Sequence, residues 1–169
     1  MKSALPPPGP ETAIHAAPAT GSAGATPSDG PVAFVTLGCP KNLVDAEMML
    51  GSLHRAGLRI TARPDEAAIV VVNTCAFVTD AQKESIDAIL DAARLKETGR
   101  LRGLVVTGCL PQRHGASVLE EIPEVDFLLG PGSLAELPGV VRGLLDGTLA
   151  RGVRLDGLDR LEAPWEARV

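Results

Sequence analysis

Three cysteines are the residues of this chain best suited to chemistry, and each occupies the same setting. Cys39 follows the run Ala33-Phe34-Val35-Thr36-Leu37-Gly38, Cys75 follows Ile69-Val70-Val71-Val72-Asn73-Thr74, and Cys109 follows Leu104-Val105-Val106-Thr107-Gly108. The chain has no other cysteine, and 35 and 33 residues separate the neighbours. Three thiols cannot all pair as disulfides within one chain, so a reducing cytoplasm fits better than a secreted setting. Together they could hold a metal. A structural zinc site asks for four protein ligands, usually with one close pair on a turn. His114, five residues after Cys109, is the better fourth candidate, and His54 the poorer because it falls inside a helix pattern. A 4Fe–4S cluster takes three cysteines more naturally and leaves its fourth iron open to an external ligand. The competing reading makes all three buried structural thiols, since free Cys is among the most buried residue types. Placement at three corresponding positions argues against it, because chance would scatter them.

Other phosphate and nucleophile chemistry finds no support. A strand followed by Cys-x5-Arg would suggest a low-molecular-weight phosphatase, but the sixth residues after the cysteines are Asp45, Ala81 and Gly115. Neither Gly-x4-Gly-Lys-Ser/Thr nor Gly-x-Gly-x-x-Gly occurs. Nothing in this chain is assigned as a catalytic residue.

The elements that must position the cysteines follow from the apolar pattern. Val32 to Leu37, Leu58 to Ala62, Ile69 to Val72, Leu104 to Thr107 and Val125 to Leu129 read as five strands. The third has four consecutive branched residues and no alternation, as in a parallel sheet covered on both faces. Leu43, Ala46, Met49, Leu50 and Leu53 recur at helical spacing, with Asn42 as the expected N-cap and Gly57 closing the helix. Thr79 with Gln82 forms a capping-box pattern ahead of a helix faced by Ile86, Ile89, Leu90, Ala93 and Leu95. Residues 111–121 read as a short irregular helix, and Ser133 with Glu136 as a second capping box opening a helix to Asp146.

Strands and helices alternate over residues 32–146. That pattern predicts an α/β fold, a five-stranded parallel sheet with helices on both faces, flavodoxin-like, in the order 2-1-3-4-5. In this order the first, third and fourth strands are neighbours, ~4.8 Å apart per step, and all three cysteines reach one carboxyl edge. Ligands bind beyond that edge where the strand order reverses. Gly38 and Gly108 would let backbone approach a bulky group. The helix starts near Asn42 and Thr79 would turn amide groups toward an anionic cluster. Asn73 and Thr74 could serve the site or simply form the turn.

With 45% hydrophobic residues and 169 in all, the chain has material for one domain with a substantial core, and with 2% aromatic residues that core must be Val, Leu, Ile and Ala. Residues 1–30, rich in Pro, Ala, Gly, Ser and Thr, read as a disordered tail in which His15 is solvated. Residues 31–147 form the expected domain. Residues 148–169 read as a linker whose Trp165 has little around it. The net charge of −5 without a basic cluster points to little direct nucleic-acid binding. No apolar run approaches the ~20 residues of a membrane helix, and no signal peptide is evident.

The stretches Leu37-Gly38-Cys39-Pro40-Lys41-Asn42-Leu43-Val44-Asp45, Asn73-Thr74-Cys75 and Thr107-Gly108-Cys109-Leu110 resemble the N-terminal domain of radical-SAM methylthiotransferases. The resemblance covers about residues 32–146. The Gly-Cys-Pro-Lys-Asn form, with Glu84-Ser85-Ile86-Asp87 later, is most like the branch that modifies an aspartate of ribosomal protein S-twelve. The branch acting on isopentenyladenosine in tRNA is the alternative. The resemblance implies that Cys39, Cys75 and Cys109 bind an auxiliary 4Fe–4S cluster, with Gly38, Asn42, Asn73 and Gly108 around it. Ala76 and His114 depart from the common Gly and Tyr, but neither is a ligand position. The family's Cys-x3-Cys-x2-Cys motif, which binds a second 4Fe–4S cluster and S-adenosylmethionine, is not in this sequence. The expectation is therefore a fragment that binds one cluster and alone catalyses nothing, with ribosomal protein S-twelve the substrate of the full enzyme.

Overall fold

The computed structural model describes residues 30–115 and 117–155. Most of the expected N-terminal tail, with His15, and the stretch holding Trp165 lie outside the described residues.

The strands are β1 (Val32–Thr36), β2 (Ile60–Thr61), β3 (Ile69–Thr74), β4 (Gly103–Gly108), β5 (Phe127–Leu129) and β6 (Gly152–Arg154). The helices are α1 (Pro40–Arg55), α2 (Thr79–Arg94), α3 (Cys109–His114), α4 (Ser117–Glu121) and α5 (Leu137–Asp146). All strand pairs are parallel, and the order is β2-β1-β3-β4-β5-β6. Five of these strands stand in the expected order, but the sheet has six, not five. β6 registers Gly152 and Val153 against Phe127 and Leu128. It falls in residues read as a linker, because three half-exposed or exposed residues carry too little apolar pattern to announce a strand. β2 is likewise shorter than expected, two residues at the opposite edge.

Side-chain alternation splits the core into two layers. Val32, Phe34, Val71, Val105, Phe127 and Leu129 pack with Ala46, Met49 and Leu53 of α1 and Leu137, Val141 and Leu145 of α5. Ala33, Val70, Val72, Leu104, Val106 and Leu128 pack on the other side with Ile89, Ala92 and Ala93 of α2, Leu110 of α3 and Val118 of α4. Every residue of β3 and β4 is buried, which is why their sequences are apolar without alternation.

The helix starts differ from the sequence expectation. Cys39, not Asn42, precedes α1, and no side chain caps that end; Pro40 takes the first helical position, where its missing N–H costs nothing. Val78, not Thr79, precedes α2, again without a side-chain cap. Gln82 reaches instead to the ring of His114, Nε2 to Nε2 at 3.1 Å. Ahead of α5 a 3-10 turn over Leu134–Glu136 intervenes after Ser133. The inward rows keep Ala46, Met49 and Leu53 of α1 and Ile89 and Ala93 of α2 but differ at other positions. On α1 it runs Asn42, Ala46, Met49, Leu53, and Leu43 is exposed. On α2 it runs Ser85, Ile89, Ala92, Ala93, and Leu90 is exposed. Both helices thus put a buried polar residue first in an otherwise apolar row.

Candidate metal centre

Backbone register carries the three cysteines to one edge. Thr36 registers with Asn73, and Thr74 with Gly108. Cys75 and Cys109 are therefore the next residues on adjacent strands, and Cys39 opens α1 three residues past the end of β1. The strand order reverses between β1 and β3, and the helices following them lie on opposite faces of the sheet. Cys39 is exposed, Cys109 half-buried and Cys75 buried.

Two glycines make this approach feasible. Gly38 has φ +94°, and a Cβ there would lie 2.4 Å from the Cys75 Cβ and 3.0 Å from its Sγ. Gly108 has φ +96°, and a Cβ there would lie 2.3 Å from the Thr74 carbonyl oxygen. The room these glycines provide is filled by the protein itself, by Cys75 and the β3 backbone, not by space held for a ligand.

Buried side chains tie the three loops together. Asn42 Nδ2 donates to the carbonyls of Leu37 (2.8 Å) and Thr74 (2.9 Å). Asn73 Nδ2 donates to the Asn42 carbonyl at 2.9 Å, and Thr74 Oγ1 to the Thr107 carbonyl at 2.6 Å. Arg113 donates to the Ala76 carbonyl at 2.8 Å. Ser85 Oγ accepts from the Cys75 N–H at 3.0 Å and donates to the Cys75 carbonyl at 2.8 Å. Asn42 Oδ1, Asn73 Oδ1 and Thr107 Oγ1 are buried with no hydrogen-bond partner among the described residues. Asn73 and Thr107 lie two residues before Cys75 and Cys109, so these unsatisfied groups cluster at the cysteine edge, where each costs roughly 1–3 kcal/mol of desolvation in the bare polypeptide.

The electrostatics grade the thiols. The backbone amides of Asn42 and then Lys41, at the start of α1, favour the charged form of the Cys39 sulfur and hold its pKa below the ordinary thiol value. Burial, then the neighbouring Cys75 sulfur, pushes Cys109 up, against the opposing pull of Lys41. Lys41 is paired with Asp45 at 2.5 Å. In the reduced, metal-free protein near neutral pH, Cys39 therefore holds a larger thiolate fraction than Cys109 and is expected to react with iodoacetamide first and Cys109 later, while burial of Cys75 makes it last. The gap between Cys39 and Cys109 narrows only once the pH is raised above the ordinary thiol range, where Cys109 in turn ionises. Peptide mapping after timed labelling checks the order, and equal rates for Cys39 and Cys109 would contradict it.

Zn–S bonds of ~2.3 Å in a tetrahedron draw sulfurs to about 4 Å from one another. Among the described residues no three His, Cys, Asp or Glu side chains are gathered as ligands for a single ion, and the His114 ring is engaged with Gln82. His54 sits exposed in the last turn of α1. Of the residues singled out in the sequence, Gly38, Asn42, Asn73 and Gly108 do converge on this edge. Ser85 and Arg113 were not anticipated; Ser85 could have been found as the polar residue one turn before Ile89.

Comparison with known proteins agrees with the motif reading. The chain is 51% identical over 116 residues to a ribosomal protein uS12 methylthiotransferase RimO of Pelotomaculum thermopropionicum, covering 69% of this chain and 26% of the relative. It is 54% identical over 106 residues to that of Anaeromyxobacter sp., covering 63% and 23%. It is 42% identical over 137 residues to that of Akkermansia muciniphila, covering 79% and 30%. The chain thus spans about a quarter of the length of these relatives. Residues 31–130, the segment that carries all three cysteines, match the uncharacterized protein family UPF0004, and the chain belongs to that family.

Proposed function

We propose that this chain is the part of a methylthiotransferase that holds an auxiliary 4Fe–4S cluster through Cys39, Cys75 and Cys109, in an enzyme whose substrate is an aspartate of ribosomal protein uS12. The observation that carries the reading is that Cys39, Cys75 and Cys109 each follow the carboxyl end of one of three neighbouring strands, β1, β3 and β4. Such a cluster, when bound, supplies one iron without a protein ligand, open to a small sulfur-bearing group.

The chain's own residues do the positioning. Asn42 and Asn73 lock the start of α1 to β3, Thr74 locks β3 to β4, and Ser85 holds Cys75 from α2. The amides of Lys41 and Asn42 favour a thiolate at Cys39. The substrate assignment rests on the names of the relatives. A second cluster and S-adenosylmethionine, implied by the motif resemblance alone, would fall to the portion of such an enzyme that this chain does not cover. The edge is flanked by exposed apolar side chains, Leu43, Val44 and Met48 on α1 and Phe77 and Val78 after Cys75. Among the described residues no helix is long and apolar enough to cross a membrane, and the proposed place of work is the cytoplasm, where ribosomal proteins are made.

Anaerobic reconstitution with ferrous iron and sulfide tests the reading. About four irons per chain with broad visible absorption are expected. One zinc per chain in its place, or no bound metal, overturns it.

A further inference from the structure

Ser85 stands out because an alanine would suit its position better by every local measure. It is fully buried, it lies in the interior of α2, and its row continues Ile89, Ala92, Ala93. Serine is a weaker helix former than alanine, because its hydroxyl competes for backbone hydrogen bonds, and a buried hydroxyl without partners is costly. What the hydroxyl does is confined to one residue. It accepts the Cys75 N–H and donates to the Cys75 carbonyl. Cys75 lies just past the last β3 residue that registers with β4, so both of its peptide groups leave the ladder while still buried, and one side chain satisfies both. On the opposite face Asn42 holds the preceding carbonyl, that of Thr74. The Cys75 backbone is thus held by a helix on each side of the sheet, while Gly38 leaves the space its side chain occupies.

We propose that Ser85 is a positioning residue: by gripping the Cys75 peptide at both ends, it fixes where the Cys75 sulfur stands relative to Cys39 and Cys109. This rests on the reading of the three cysteines as cluster ligands. Outer-shell partners of metal ligands typically carry ~10–100-fold in metal affinity. Ser85→Ala, which removes one oxygen and favours the helix, is therefore expected to load iron but to release it to a chelator at least ~10-fold faster. The reduced cluster's electron paramagnetic resonance spectrum should change as well.

The experiment compares the full chain, reconstituted anaerobically, in four forms: wild type, Ser85→Ala, Ser85→Thr and Ile89→Ala. Ile89 lies one turn further along the same buried row and does not touch the Cys75 peptide through a hydrogen bond. Its truncation lowers the thermal midpoint of the metal-free protein by opening a cavity, so it reports what general destabilisation does to iron release. Fast release confined to Ser85→Ala, with a near wild-type rate in Ser85→Thr, supports the positioning role. Release from Ser85→Ala at the wild-type rate overturns it, as does equally fast release from Ile89→Ala or Ser85→Thr, and the cluster reading survives each of these. A wild-type chain that binds no iron overturns both.

Discussion

Gly108→Ala is expected to destabilise the metal-free domain by more than ~4 kcal/mol and to lower its thermal midpoint on the order of 10–20 °C. Two independent costs add. At φ 96° and ψ −152° the backbone lies close to a region open essentially to glycine alone, and a side chain there costs ~1–3 kcal/mol of strain. The new Cβ would also stand 2.3 Å from the Thr74 carbonyl oxygen, 2.8 Å from Asn73 Oδ1 and 2.9 Å from the Thr74 nitrogen. Two of these atoms are backbone of β3, which pairs with β1 on its other side, so relief requires opening the central ladder of the sheet. Gly99→Ala is the control. Gly99 also has positive φ, +75°, but a Cβ there meets nothing within 4 Å, and the cost should be only ~1–2 kcal/mol. Urea unfolding of the two variants and wild type measures the difference. If Gly108→Ala falls within ~1 kcal/mol of Gly99→Ala, the close approach of β3 to β4 at the cysteine edge is not as rigid as the geometry requires. Since a domain of this kind has ~5–15 kcal/mol in all, the predicted loss is a large share of its stability.

Much of this arrangement could be read from the chain. The apolar runs that stop at each cysteine are strands because branched side chains buried on both faces have no need to alternate, and β3 and β4 are the clearest case. Parallel pairing then brings distant cysteines to one edge without any local spacing motif. What failed was the assignment of polar residues near helix starts. Asn42 has the composition of an N-cap, but its amide group crosses to β3, and the local sequence is the same for either use. Thr79 and Gln82 match a capping box, yet Gln82 finds His114 on α3, thirty-two residues away. Ser85 stands one turn before Ile89 on the inward row, but what its hydroxyl does there could not be read locally, because its partner is a peptide ten residues earlier. The short edge strand β6 was illegible for a different reason: pairing with β5 creates it, not its own pattern. Local propensity thus located the elements, and tertiary contacts decided what their polar side chains do.

Replacing any one of Cys39, Cys75 or Cys109 by alanine is expected to bring bound iron from about four per chain to below about one after reconstitution. The three substitutions differ in what they do to the polypeptide, and that difference makes the series informative. Cys39 is exposed, and its side chain makes no capping hydrogen bond to α1, so Cys39→Ala should leave the thermal midpoint of the metal-free protein unchanged. Cys75 is buried against Gly38, so Cys75→Ala opens a small void and should lower it by a few degrees, with Cys109→Ala in between. If the thiols were structural, loss of iron would follow loss of stability, and Cys39→Ala would behave as wild type in both measurements. If they are ligands, the variant that costs the fold nothing loses as much iron as the one that costs it most. Loading supplies a second readout. A group bound only by the folded state raises stability by RT ln(1 + [L]/Kd), about 2.7 kcal/mol at a hundredfold excess over Kd. Wild type should therefore melt higher after reconstitution, and all three alanine variants should melt where they did before it. Retention of near wild-type iron by Cys39→Ala would show that this cysteine is not a ligand, and would leave Cys75 and Cys109 as a pair too few for the cluster.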